Sequence, residues 1–143
     1  MHFIHWDENC SVGVPKLDNQ HRVLFRIANN LYAAMMKGHS RSITADHLYE
    51  LERYTREHFA AEDDQMVAAN YPLLGLHRTQ HQSLIRQLDE YVGRYKQGEA
   101  LTNLPMRNFL NDWLVAHILT DDQAYRPWIG KVQGGETNQV TSL

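Results

Sequence analysis

With 143 residues, the chain has about one domain's length. Apolar residues make up 43% and charged residues 22%, so it can bury a core and reads as a soluble globular domain. Fourteen basic against seventeen acidic residues, a net charge of −3, exclude an electrostatic footprint for nucleic acid or an anionic membrane.

Cys10 is the single cysteine, which rules out an internal disulfide and any cysteine-rich metal site. Neither a signal-peptide pattern nor a membrane-length apolar run occurs, so a cytoplasmic location is expected. Nine histidines are the unusual count, and imidazole is the commonest metal ligand.

In chain order, residues 1–17 lack a sustained period and predict an extended N-terminal arm. Asp18 reads as a helix cap, followed by His21, Leu24, Phe25, Ala28, Leu31, Tyr32 and Met35 at spacings of three and four, with a stop near Gly38. A second helix, capped at Thr44, carries Leu48, Leu51, Thr55, His58, Glu62 and Met66 on one face and ends before Asn70-Tyr71-Pro72. The third runs through His77, His81, Leu84, Leu88, Tyr91 and Tyr95 to Gly98, with Gly75 a mild irregularity. A fourth starts around Asn103-Leu104-Pro105 and carries Met106, Phe109, Leu110, Trp113 and His117, and Pro127 limits its extent.

Four helices of roughly twenty residues with short connections predict an all-α, up-down-up-down four-helix bundle. The expected organisation is a single domain over 1–143: arm 1–17, bundle about 18–129 and a loose tail 130–143.

His58 and Glu62 are four apart on one helix face, and His77 and His81 repeat the device. His21 and His117 fall on the stripes that face the bundle axis. A lone histidine among apolar positions is usually a hydrogen-bonded core residue, and a His–Glu pair at this spacing is usually a surface pair. Five core-facing imidazoles are different, since burying each without a partner costs about 1–3 kcal/mol. A metal takes up those lone pairs.

These residues carry a resemblance. Through DNQH around His21, HFAAED from His58, HRTQH from His77 to His81 and WLVAHILTDD from Trp113, the chain resembles the bacterial hemerythrins over roughly residues 6 to 129. The resemblance implies His21, His58, His77, His81 and His117 as terminal ligands, and Glu62 and Asp122 as carboxylates bridging two irons with an oxo or hydroxo group. It assigns His77, His81 and His117 to a closed iron, and His21 and His58 to the iron that keeps an open position. Helix geometry alone selects Asp121, four after His117, because Asp122 at +5 is turned about 140° away on a regular helix. The family pattern selects Asp122 and so implies a bulge there, with Asp121 facing water.

A donor count agrees with one vacancy. Two six-coordinate irons need about twelve positions, and five imidazoles, two bridging carboxylates and a bridging oxygen fill about eleven. The implied function is reversible dioxygen binding for storage, delivery or buffering. A sensor acting through a protein partner, or an oxidase, peroxidase or nitric-oxide-handling enzyme, are the alternatives. Five neutral imidazoles lack the negative charge that stabilises high-valent iron, so no enzyme activity is expected.

Phe59, Trp113, Leu114 and Ile118, with Leu24 as a further candidate, match the family's apolar pocket, and Leu114 and Ile118 would lie over the open position. Each is also a plain core residue by type. His2, His5, His39 and His47 are expected in solvent, as is the face of Arg56, Glu57, Asp63 and Asp64. Cys10 is either a packed inert thiol or a redox-sensitive one.

Overall fold

Pro15 starts the first long helix three residues ahead of the expected cap. In the computed structural model, which describes residues 4–129, α1 spans Pro15–Met36, with extended Val14 before it and proline's fixed φ at the first turn. Asp18 is therefore not the cap. Its carboxylate turns back to the arm, accepting the Val12 N–H at 2.8 Å and the Ser11 hydroxyl at 2.6 Å. The arm itself holds one short turn at Glu8–Cys10. The tail 130–143 and His2 lie outside the described residues.

The second helix also starts early. Helix α2 (Arg41–Ala68) is capped by Ser40, whose Oγ accepts the Ile43 N–H at 3.3 Å, while Thr44 is buried inside the first turn. Helix α3 spans Leu74–Lys96. Gly38 and Gly98, with φ of +67° and +100°, take the left-handed conformation that ends α1 and α3. Short loops return each helix antiparallel to the last, giving the four-helix bundle.

The fourth helix, α4, covers residues 103–129 and is not regular. After Asn103–Leu110 it widens into a π turn at Asn111–Val115 and again at Ile118–Asp122, before resuming α geometry over 123–129. The second of these is the bulge that the +5 spacing implied. Each π turn holds an extra residue, so side chains beyond it are rotated relative to a regular helix.

Buried apolar residues form two clusters. Leu24, Leu31, Leu48, Leu51, Leu88 and Leu110 belong to the larger, and Val12, Leu17, Met66, Tyr71, Tyr125 and Ile129 to the smaller. Each fully buried Leu or Ile side chain contributes about 1.5–3 kcal/mol. Polar residues fall between the clusters on every helix: His21 between Leu17 and Leu24, Glu62 ahead of Met66, and Asp122 between Ile118 and Tyr125. Among the described residues, no helix is long and apolar enough to cross a membrane.

Candidate metal centre

All seven residues expected at the site are buried, none more than 6% exposed. They converge as two groups with shared members: Glu62, His77, His81, His117 and Asp122 in one, His21, His58, Glu62 and Asp122 in the other. Within each group the candidate ligand atoms lie within 4.8 Å of one another.

The shared carboxylates face histidines of both groups, and Asp122 gives one oxygen to each. Oδ1 of Asp122 is 3.2 Å from His77 Nε2 and 3.0 Å from His117 Nε2, whereas Oδ2 is 3.1 Å from His21 Nε2. Oε1 of Glu62 is 3.0 Å from His81 Nε2 and 3.4 Å from His58 Nε2, and Oε2 is 3.4 Å from His21 Nε2. Close as they are, these pairs lack hydrogen-bond alignment: all five Nε2 atoms, Oε1 of Glu62 and both oxygens of Asp122 are buried without a hydrogen-bond partner. Unpartnered buried polar atoms are costly, and a cation accepting their lone pairs removes that cost. The donor set of imidazoles and carboxylates fits iron.

Electrostatics of the metal-free chain agree. Burial raises the pKa of Asp122, as does the charge of Glu62, yet His117 and His21 outweigh both and hold it well below the usual carboxylate range. Glu62 is likewise held low against burial by His58, His21 and His81. Burial disfavours the charged form of His21 and His117, but the adjacent carboxylates lift them to about 9 and about 10. For His81 burial wins and its pKa falls. Protons thus hold the place that a cation would take.

Asp121 does not simply face water. It is 32% exposed, and its Oδ2 lies 2.8 Å from His117 Nδ1, on the far side of the ring from Asp122. The π turn at Ile118–Asp122 lets neighbouring residues grip one imidazole at both nitrogens. Helix arithmetic thus identified a true partner of His117, though not the buried one.

Leu24, Phe59, Trp113, Leu114 and Ile118 are all buried. The Phe59 ring stacks on His81, centroids 3.7 Å apart and planes 2° from parallel. Trp113 donates its Nε1–H to the Leu84 carbonyl at 2.8 Å, which ties α4 to α3. Two buried or partly buried partners escaped the sequence reading. Tyr125 donates its hydroxyl to Oε2 of Glu62, and Gln20 places Oε1 2.7 Å from His58 Nδ1. Tyr125 follows Asp122 by three positions, one helical turn, a spacing that could have revealed it.

A family profile described as "Hemerythrin HHE cation binding domain" matches residues 12–129, most of the chain. The chain belongs to the hemerythrin family. It is 33% identical over 120 residues to a bacteriohemerythrin of Stenotrophomonas maltophilia, covering 84% of this chain and 77% of that one. A bacteriohemerythrin of Clostridium acetobutylicum is 29% identical over 126 residues, covering 84% and 96%. Myohemerythrin-1 of Phascolopsis gouldii is 31% identical over 121 residues, covering 85% and 90%. A wild-type hemerythrin crystal structure superposes with a TM-score of 0.83 at 28% identity, covering 90% of this chain and 98% of that one. Membership of the hemerythrin family implies a non-haem di-iron site, and the His, Glu and Asp cluster is able to bind metal.

His5, His39, His47 and Cys10 lie apart from the cluster. His5 and His39 are exposed, and His47 is half-buried. Cys10 is buried, and burial raises its thiol pKa, which fits a packed, unreactive side chain. Arg56, Glu57 and Asp63 form surface ion pairs with Asp89, Arg53 and Arg78 respectively.

Proposed function

We propose that this protein binds dioxygen reversibly at a pair of non-haem irons linked by an oxo or hydroxo group, and stores, delivers or buffers oxygen rather than turning over a substrate. The observation that carries the reading is Asp122, whose Oδ1 faces His77 and His117 while its Oδ2 faces His21, with Glu62 in reach of histidines of both groups. A single ion would leave one group unused. His77, His81 and His117 would hold one iron, His21 and His58 the other, with Glu62 and Asp122 spanning both.

A ferrous pair held by these residues would supply the electrons that dioxygen takes up on binding. Everything else falls to the chain. Tyr125 and Gln20 fix the orientation of Glu62 and His58. Leu24, Leu114 and Ile118, each at most 3% exposed, exclude water and the protons it would deliver. Phe59 holds the His81 ring flat against its own.

The test is cyclic exposure of the reduced, iron-loaded protein to air and then to an oxygen-free atmosphere. A visible absorption band that appears and disappears over repeated cycles, with no net consumption of reductant, is the expected result. One-way oxidation, or a co-substrate consumed at each exposure, would overturn the binding reading in favour of an enzyme.

A further inference from the structure

The outer nitrogens of the candidate ligands meet unequal partners. Nδ1 of His117 lies 2.8 Å from the Asp121 carboxylate. His58, in the other group, has the neutral Gln20 amide oxygen at 2.7 Å, and Nδ1 of His21 is buried without a hydrogen-bond partner. Negative charge therefore backs a ligand of one group, and none of these contacts brings it to the other.

Asp121 is held in place for this role. Gln80 of α3 donates its Nε2–H to Oδ1 of Asp121 at 3.3 Å, and Asp121 is one-third exposed. A small cavity of about 120 Å³ opens beside it, lined by His77, Gln80, Thr120 and Asp121 among others. A carboxylate accepting the Nδ1 proton of an imidazole fixes the tautomer whose Nε2 lone pair is free, and makes that lone pair a stronger donor. Stronger donation stabilises a ferric ion more than a ferrous one.

We propose that Asp121 is a positioning residue that acts through His117 to make the iron of the His77, His81 and His117 group the easier of the two to oxidise, and so sets the oxygen affinity of the centre. The inference rests on the di-iron reading above. Its chemistry is the loss of one electron from a ferrous ion to an oxidant, dioxygen in function or ferricyanide in a titration. The Nδ1 proton stays on His117, shared with Asp121, and no bond in the chain breaks.

The experiment compares the wild-type chain with Asp121→Asn, which keeps the shape and an acceptor oxygen but removes the charge. In an anaerobic ferricyanide titration of the iron-loaded proteins, the one-electron equilibrium of Asp121→Asn should shift about tenfold toward the ferrous form, about 59 mV. Half-saturation with oxygen should then need a higher oxygen pressure, while iron content is unchanged. An unchanged equilibrium at full iron content overturns the proposal.

A second measurement covers the case in which the variant does not load iron. Proton NMR of the zinc-loaded wild-type chain should show the His117 Nδ1 proton far downfield and slow to exchange, as expected for a hydrogen bond to a carboxylate. Its absence overturns the proposal. A chain that shows this proton but takes up no iron pair, or binds no oxygen, fails the di-iron reading instead, so the two failures are distinct.

Discussion

The hydroxyl of Tyr125 donates to Oε2 of Glu62 with both side chains wholly buried. Burial, and then the charges of Glu62 and Asp122, push the Tyr125 pKa well up, so the phenol keeps its proton and acts as a donor at every physiological pH. One oxygen of Glu62 is thereby fixed, and the other is directed at His58 and His81.

Replacing Tyr125 with phenylalanine should therefore cost the metal-free chain about 1–3 kcal/mol, the worth of a buried hydrogen bond to a charged group. A lower urea midpoint with an unchanged slope is the expected signature. Weaker iron retention against a chelator should accompany it. An unaltered midpoint would mean that Glu62 is held by the histidines alone.

The shared carboxylates predict unequal losses of metal. Wild-type protein reconstituted anaerobically should approach two irons per chain. Asp122→Ala removes a residue common to both groups and should lose both ions, whereas His21→Ala touches one group and should keep about one. Metal analysis after desalting distinguishes these outcomes. One tightly held zinc per chain, with no second metal under any loading, would contradict the two-ion centre.

Leu114→Ala opens space in the apolar wall and should admit water. Autoxidation of the reduced, oxygenated protein is expected to quicken several-fold with iron content unchanged. The deletion should also lower stability by about 2–5 kcal/mol, as at other buried leucines. Absorbance decay in air gives the rate, and an unchanged rate would locate the guard elsewhere, with Ile118 next.

Removing metal should destabilise the bundle. Without a cation, all five Nε2 atoms, Oε1 of Glu62 and both oxygens of Asp122 are buried with no hydrogen-bond partner. At a free iron concentration a hundredfold above the dissociation constant, binding contributes about 2.7 kcal/mol. Chelation should then lower the melting temperature by about 10 °C. A melting temperature independent of metal would imply that the ions bind folded and unfolded chains alike.

The helices and the histidine set were legible because their signals are local and repeated. Apolar residues recur at three and four, and His58 with Glu62 and His77 with His81 lie on the same stripes. Helix starts were less legible, since several polar residues compete for each cap: Asp18 and Thr44 are good capping types, but Pro15 and Ser40 come first in the chain and start the helices. Of the two π turns of α4, the second was visible as a mismatch between Asp122 and regular helix geometry, and the first, at Asn111–Val115, left no signal in the spacing. The contact of Gln20 with His58 depends on how two helices are rotated against one another, which one sequence does not encode by spacing, whereas Tyr125 was within reach of a spacing argument from Asp122. Asp121 shows both limits, because geometry singled it out and only the folded chain reveals which side of the imidazole it takes.

The arm carries one more consequence. Ser11 is fastened to two helices at once: its hydroxyl to Asp18 of α1, and its carbonyl to Gln123 and Arg126 of α4, at 2.9 Å each. Gln123 directly follows Asp122. On one side of Ser11 the arm contributes Ile4 and Cys10 to the larger apolar cluster, on the other Val12 and Val14 to the smaller. The first stretch of the chain is thus a strap across the seam where the two halves of the core meet, anchored one residue from the buried carboxylate. The arm therefore closes the seam beside Asp122, and its anchor on α4 adjoins the turn that carries the carboxylate.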